Sequence, residues 1–239
     1  MSKTFLGIAA TAGFFALAAL SISQKVGAHG DVAPQAVDTS SLPDIGEEWL
    51  EENPFRDPEG ESWKRAIEIG ASGYNSNCAR CHGLGAVSGG LAPDLRFLSA
   101  DIDGDEWYLE RYREGYTQGG VTKMPAFGEL LGQPAAWAIR TYLETRPDAD
   151  ALAENANALQ EIRGKLEELA ASGKSASDLS GEIEPLKASM IEIASQIETA
   201  SGAPLADSVA SRAAADLDGT DGSLTKAAET LKVGLSAAK

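Results

Sequence analysis

The sequence predicts an all-α fold, and three observations support that prediction. Apolar residues recur at helical spacing from Trp63 onward, and no run shows the sustained alternation of apolar and polar residues that a strand requires. Glycine and proline residues separate these runs at positions where helices commonly end. All tryptophan, tyrosine and phenylalanine residues lie before residue 148, so residues 148–239 form a second region of different composition.

The first 30 residues have the layout of a secretory signal peptide. Lys3 precedes an apolar run over residues 5–20, and small side chains follow, so we expect cleavage after Ala28 or Gly30. An uncleaved anchor is the alternative, but the apolar run is slightly shorter than a bilayer span and rich in alanine and glycine. No later segment is long and apolar enough to cross a membrane. The sequence therefore predicts an exported, soluble periplasmic protein without a membrane span in its mature chain.

The chain is acidic, and this excludes one class of partner. Its 20 Lys and Arg residues against 36 Asp and Glu residues give a formal net charge of -16, which repels nucleic acid. Residues 31–62 form an acidic arm in which prolines prevent a long helix, so we expect it to wrap on a domain or to remain mobile. Two acidic groups either steer a basic partner or form an ordinary solvated surface. They are Glu47, Glu48, Glu51 and Glu52 in the arm, and Asp101, Asp103, Asp105 and Glu106 beyond it.

Residues 63–147 are predicted to form one small helical domain. A first helix begins at Trp63 and runs into the sequence Asn-Cys-Ala-Arg-Cys-His-Gly. A second helix, DEWYLERYREG, ends at Gly115, and a third, AAWAIRTYLETR, is stopped by Pro147. The hydrophobic core of a domain of this size gives only marginal stability by itself, so we expect an additional cross-link to stabilise the domain.

Residues 148–239 are predicted to form an extension of about four helices. Leucines recur every seven residues in its first helix, and a similar apolar stripe follows in the second. Pro185 lies inside the second pattern and marks either the start of that helix or a kink. We expect a helical hairpin or bundle that packs on itself, with coiled-coil-like self-association or docking to a partner as the alternative. The breaks between helices fall at residues 172–173, 202–204 and 218–222.

The two cysteines of the chain carry its strongest chemical signal. Cys78 and Cys81 stand three residues apart and are followed by His82, which is the attachment pattern of c-type haem. Two intervening residues match the spacing of the haem vinyl groups on a tight helical turn, and the next residue is directed toward the iron. A thiol redox site would need a βαβ pattern, and a zinc site would need four nitrogen or sulfur ligands. We therefore predict one covalent haem c, added by haem-attachment machinery during maturation.

A six-coordinate haem iron needs a second axial ligand, and methionine is its natural source. Only Met124 and Met190 remain after the predicted signal peptide. Met124 lies in a glycine-rich loop and is followed by Pro125, whereas Met190 occupies a heptad core position. We predict His82 and Met124 as the axial ligands of the iron, and no catalytic residues.

Several motifs in their order along the chain resemble those of a known family. GASGYNSNCARCHG, APDL, the helix that contains Trp107, KMPAF and AAWAIRTYL resemble the class I c-type cytochromes. The resemblance is greatest to the periplasmic cytochromes that accept electrons from pyrroloquinoline-quinone-dependent ethanol dehydrogenases, and it covers about residues 31–147. The extension from residue 148 onward departs from the compact pattern of that family.

The resemblance implies several contacts that a structure can test. Gly70 and Tyr74 would lie where the first helix of the domain crosses the last, against Tyr142 and Leu143. The carbonyl of Pro93 would accept a hydrogen bond from the ring of the proposed histidine ligand and so fix its tautomer.

The resemblance also implies the function of a one-electron carrier and not an enzyme. Its donor would be a quinoprotein alcohol dehydrogenase, and its acceptor a terminal oxidase or another cytochrome. An iron with both His82 and Met124 bound has no open position for a substrate, which agrees with that role. Two alternatives remain: a ligand-binding sensor or peroxidase-like module in which Met124 dissociates, and a haem relay subunit whose extension holds a dehydrogenase complex together.

Overall fold

The computed structural model describes residues 34–220 and 222–236 of the chain. Within these residues the protein is helical apart from one short β-hairpin, so the predicted all-α class is confirmed. The predicted signal peptide at residues 1–30 lies outside the described residues, as do the first residues of the arm. Among the described helices, none is long and apolar enough to cross a membrane.

The elements of the N-terminal part come first in the chain, and those of the extension follow. The N-terminal part contains α1 (Glu61–Asn77), α2 (Ala79–His82), α3 (Ile102–Glu114), β1 (Tyr116–Gln118), β2 (Val121–Met124) and α4 (Gly128–Glu144). The extension contains α5 (Ala149–Glu154), α6 (Ala156–Ala171), α7 (Ser180–Ser195), α8 (Val209–Asp216) and α9 (Ser223–Ser236). Two short 3-10 turns, Leu84–Ala86 and Leu95–Phe97, lie between α2 and α3.

Helices α1 and α4 cross at a glycine. A Cβ atom on Gly70 would lie only 1.9 Å from the carbonyl oxygen of Ala138 and 2.9 Å from the Cβ of Tyr142, so the two backbones meet where no side chain fits. One turn further along α1, the ring of Tyr74 packs against that of Tyr142 with 5.4 Å between the centroids. The crossing that the family resemblance implied is therefore present.

The arm is wrapped on this helical core over its described length. The amide of Gln35 donates to the side chain of Asn77 at 2.7 Å. Further along, Phe55 is 1% exposed and belongs to the same hydrophobic cluster as α1, α3 and α4. The first of the two expectations for the arm, wrapping on the domain, is confirmed for residues 34–60.

A buried network of charges ties the arm to α3 and α4. Arg56 in the arm contacts the carboxylates of Asp105 at 2.7 Å and Glu144 at 3.0 Å, and Arg140 donates to Asp105 at 2.8 Å. The side chains of Asp105, Arg140 and Glu144 are fully buried. The prediction that Asp105 belongs to an acidic surface group was wrong, because this carboxylate is neutralised inside the fold. Asp101 also has a local role, since its side chain caps α3 by accepting from the amide of Gly104 at 3.0 Å.

The β-hairpin was not predicted, and its size explains why. Its strands have three and four residues, too few for an alternation of apolar and polar residues to be recognised. Gly119 and Gly120 connect them with φ values of 59° and 75°, and two consecutive residues with positive φ suit the tight two-residue turn of a hairpin. The Gly-Gly pair was the available signal.

The extension packs its apolar stripes against one another. Leu159 and Leu166 of α6, Met190 of α7 and Leu231 of α9 are fully buried in one cluster that is separate from the cluster of the N-terminal part. The expectation of a bundle that packs on itself is therefore confirmed for the described residues. Helix α7 begins before Pro185 and continues through it, and the short helix α5 is an addition to the four predicted helices.

A segment of the extension, residues 198–207, contacts the end of α4 and the loop before α3. We call it the junction segment. Its backbone pairs with residues 147–148, and its Asp207 accepts from the side chain of Arg146 at 3.0 Å. The amide of Ala100 donates to the carbonyl of Ser201 at 2.9 Å. Hydrogen bonds and one ion pair thus contribute to the contact between the two parts of the chain.

Candidate haem site

The end of α1 brings both cysteines and the histidine onto one tight turn. The amide of Cys78 donates to the carbonyl of Tyr74 at 2.7 Å and so closes α1. The amides of Cys81 and His82 both return to the carbonyl of Cys78, at 3.1 and 3.0 Å. The three proposed haem-binding side chains therefore project from a single helical turn, as the sequence motif requires.

Gly83 lets the chain leave this turn sharply. Its φ is 88°, and a Cβ atom would lie 1.8 Å from the carbonyl oxygen of Val87. Its own carbonyl accepts a hydrogen bond from the hydroxyl of Tyr74 at 2.8 Å. Any other residue at position 83 would displace the loop that follows the histidine.

His82 is held in one orientation by the loop that faces it. The side chain is 8% exposed, and its Nδ1 lies 2.8 Å from the carbonyl oxygen of Pro93. Because a carbonyl can only accept, Nδ1 carries the proton and Nε2 keeps the lone pair that a metal ligand needs. The contact that the resemblance implied for Pro93 is therefore present.

Met124 ends strand β2 and is anchored on both sides. On one side it pairs with Tyr116 in the hairpin. On the other, the amide of Phe127 donates to the carbonyl of Tyr112 at 2.8 Å, and their rings pack with centroids 5.9 Å apart. Met124 is partly buried against the same hydrophobic cluster that Cys78 flanks. Met190, in contrast, is fully buried in the core of the extension, as its heptad position predicted.

The thiol of Cys78 has the opposite character from a redox-active cysteine. Burial, and then the neighbouring Cys81, raises the pKa of the Cys78 thiol to about 12. Reactive thiols in Cys-X-X-Cys redox sites have a lowered pKa, because the thiolate is the nucleophile. A raised pKa disfavours the thiolate form that thiol–disulfide exchange requires.

Buried tyrosines lie near the thiol of Cys78, which is itself partly buried. Burial raises the pKa of Tyr108, and the pKa of Tyr74 and of Tyr112 is raised first by burial and next by the charge that a Cys78 thiolate would carry. Tyr108 donates to the carbonyl of Ala136 at 3.0 Å, so its hydroxyl is satisfied within the core. An apolar environment of this kind favours the less charged ferrous state of a haem iron.

The residues present fit a covalent haem. Two thiols on one turn can form the thioether links, an imidazole with its proton fixed on Nδ1 can bind the iron, and a thioether side chain lies at the edge of the same core. Within the described residues, no group of three or more His, Cys, Asp and Glu side chains could hold a bare metal ion.

The comparisons agree with this donor set. A family profile described as cytochrome C oxidase, cbb3-type, subunit III matches residues 65–143. Cytochrome c550 of Pseudomonas aeruginosa is 52% identical over 133 residues, which are 56% of this chain and 91% of that protein. No solved structure gives a significant match.

Two enzymes of Pseudomonas putida share a shorter segment with the chain. Quinohemoprotein alcohol dehydrogenase ADH IIB is 32% identical over 91 residues, which are 37% of this chain and 12% of the enzyme. Quinohemoprotein alcohol dehydrogenase ADH-IIG is 53% identical over 81 residues, which are 34% of this chain and 11% of the enzyme. The chain thus matches only about a tenth of the length of each dehydrogenase.

Proposed function

The chain belongs to the family of cytochrome c550, and from that premise we propose that it is a periplasmic one-electron carrier that accepts electrons from a quinoprotein alcohol dehydrogenase. Members of this family are electron-transfer proteins with covalent haem c, and this chain is therefore an electron carrier and not an enzyme. The single observation that supports the role most directly is the tight turn with Cys78, Cys81 and His82, in which the histidine proton is fixed by Pro93.

In the proposed site each side chain has one role. Cys78 and Cys81 would hold the haem covalently, and His82 and Met124 would bind its iron. The haem, when bound, supplies a one-electron exchange between its ferric and ferrous states. The protein contributes ligands that do not change between the two states and an aromatic core beside them, which together raise the reduction potential.

The proposed donor is supported by the two quinohemoprotein alcohol dehydrogenases. Each contains a segment similar to this chain, so a haem domain of this type occurs within alcohol dehydrogenases themselves. We propose that this chain performs the corresponding transfer as a separate protein. Its acceptor would be a terminal oxidase or another cytochrome, and the proposed signal peptide at residues 1–30 would place the exchange in the periplasm.

We also propose that residues 63–147 are the haem domain and residues 148–239 a separate helical extension. The two hydrophobic clusters support this division, because one ends at Leu143 and the other begins at Leu152. The leucines of the apolar stripes, such as Leu159, Leu166 and Leu231, are already buried within the same chain. Self-association through these leucines is therefore not supported.

Replacement of the methionines tests the ligand assignment. Met124→Ala should keep the haem attached through both cysteines but open one side of the iron, lowering the reduction potential and allowing carbon monoxide to bind the ferrous protein. The matched control is Met190→Leu, a substitution of similar volume in the other core, which should retain the wild-type potential and spectrum. Carbon monoxide binding by the wild-type protein would favour the sensor or peroxidase-like alternative. A wild-type potential in Met124→Ala would refute the assignment.

Rapid mixing with a purified quinoprotein alcohol dehydrogenase tests the donor. The dehydrogenase, supplied with ethanol, should reduce the haem directly, and the rate should fall steeply with salt if the acidic arm steers the encounter. Glu47, Glu48, Glu51 and Glu52 are exposed, so their replacement by glutamine should flatten that salt dependence. Absence of reduction at low salt would exclude this donor.

A further inference from the structure

The loop that carries Pro93 is held by one carboxylate. The side chain of Asp94 accepts from the amide of Ser88 at 3.2 Å and from the amide of Arg96 at 3.1 Å. It therefore joins the two ends of the loop, and it belongs to the residue directly after Pro93. The hydroxyl of Ser88 adds a second tie by donating to the carbonyl of Ala92 at 2.5 Å.

Arg96 connects this carboxylate to the end of α4. Its guanidinium donates to both oxygens of Asp94, from Nε at 3.0 Å and from Nη2 at 2.6 Å, in the bidentate arrangement that is the strongest form of this pair. Its remaining nitrogen, Nη1, donates to the carbonyl of Pro147 at 3.2 Å. The whole residue is 4% exposed, so water does not compete strongly for these contacts.

We propose that Asp94 and Arg96 are positioning residues for His82, because they fix the Pro93 carbonyl that receives the Nδ1 proton of the ring. The proposal rests on the proposed function of His82 as an iron ligand. The peptide group between Pro93 and Asp94 contains the accepting carbonyl, so its orientation depends on the residue that Arg96 clamps. We call the ion pair between Asp94 and Arg96 the loop clamp. Arg96 anchors this clamp to the carbonyl of Pro147, 51 positions further along the chain.

The clamp has an electronic consequence for the ligand. A carbonyl that accepts the Nδ1 proton makes the imidazole a stronger donor to the metal, and such partners typically matter about 10- to 100-fold for metal affinity or activity. A stronger donor favours ferric iron, which carries the higher charge. Loosening the clamp should therefore raise the reduction potential, whereas removal of the positive charge of Arg96 alone would lower it.

Arg96→Lys separates these two effects, because it keeps the charge and loses the planar fork. In the haem-loaded variant, the Nδ1 proton of His82 should exchange with deuterium about tenfold faster than in the wild type, as followed by NMR of the ferrous state. The ratio of reduced to oxidised protein at a fixed potential should also rise, and a tenfold rise would equal about 59 mV for a one-electron couple.

The matched control is Arg146→Lys. Arg146 is similarly buried, at 6% exposed, and donates to a carboxylate of Asp207 and to the carbonyl of Tyr142, but it does not touch the loop of Pro93. This variant should retain the wild-type exchange rate and potential. If Arg96→Lys fails to acquire haem, Ser88→Ala provides the second test, since it loosens the same loop without any change of charge.

The outcomes distinguish this inference from the proposed function. Wild-type exchange rates and potentials in both Arg96→Lys and Ser88→Ala would overturn the positioning role. Equal shifts in Arg96→Lys and Arg146→Lys would also overturn it, because they would reflect a general loosening of the fold. If His82 is not an iron ligand, the wild-type ferric protein itself will lack hyperfine-shifted His82 ring signals, whatever the variants show.

Discussion

Ending the chain after Pro147 removes the extension but leaves every proposed haem ligand in place. The hydrophobic cluster of the N-terminal part loses no member, because its last residue is Leu143. The carboxylate at the new C-terminus still offers Arg96 an acceptor. We therefore expect the shortened protein to acquire haem and to keep its visible spectrum and reduction potential.

The stability of the shortened protein should fall by a modest amount. It loses three hydrogen bonds and one ion pair with the junction segment, and water replaces each partner. At about 0.5 kcal/mol for each, the lower end of the usual range, the loss is about 2 kcal/mol. For a domain of this size, that corresponds to a melting temperature lower by roughly 10 °C. The lost contacts are Ala100 to Ser201, Ser201 to Glu144, Ala206 to Thr145 and Arg146 to Asp207.

Thermal unfolding of both proteins in the ferric state, followed by the Soret band, measures the difference. A loss of the methionine-ligated spectrum in the shortened protein would show that the extension supports the site directly and would refute the division into two domains. An unchanged melting temperature would show that the junction segment contributes nothing to the stability of the haem domain.

Two further substitutions test the packing and the loop clamp. Gly70→Ala should destabilise the protein by about 1–3 kcal/mol in denaturant unfolding, because the new Cβ would meet the carbonyl of Ala138 at 1.9 Å. The control Gly164→Ala lies in a helix with nothing within 4 Å of the new Cβ, and it should stabilise by up to about 1 kcal/mol. For Asp94, burial acts to raise the pKa, but the hydrogen bonds from Arg96 and Ser88 outweigh it and lower the pKa below 3.8. The stabilisation is thus fully present above that value and lost as pH falls through the lower folded-state pKa, so Asp94→Asn should be less stable than wild type at pH 7, and the difference should shrink as the pH falls below 3.8.

The haem motif and the helices were predictable because their signals are local. The Cys-X-X-Cys-His turn is five consecutive residues, and each long helix has its own apolar periodicity. The role of Met190 was readable for the same reason, since its heptad neighbours define a core position.

Features that join distant residues were not predictable in this way. Asp105 looked like one of four surface acids, but its partners Arg56 and Arg140 lie 49 and 35 positions away in the sequence. The bond from Arg96 to Pro147 likewise spans the domain and leaves no pattern in the chain. A periodic stripe in the extension requires a partner surface, but the stripe does not say whether that surface belongs to the same chain.

The wrapped arm has a consequence for the order of folding. The residues of α4 that the arm contacts lie far along the sequence. The amide of Leu50 donates a hydrogen bond to Gln133, 83 positions away, and the side chain of Asn53 donates one to Glu144, 91 positions away. Contacts of such long sequence separation form slowly. In a chain that is synthesised or exported N-terminus first, Cys78 and Cys81 are therefore accessible well before the arm can pack on the core. In that interval the Cys78 thiol is still in water, where its pKa is near the ordinary value and covalent attachment of haem is chemically easiest.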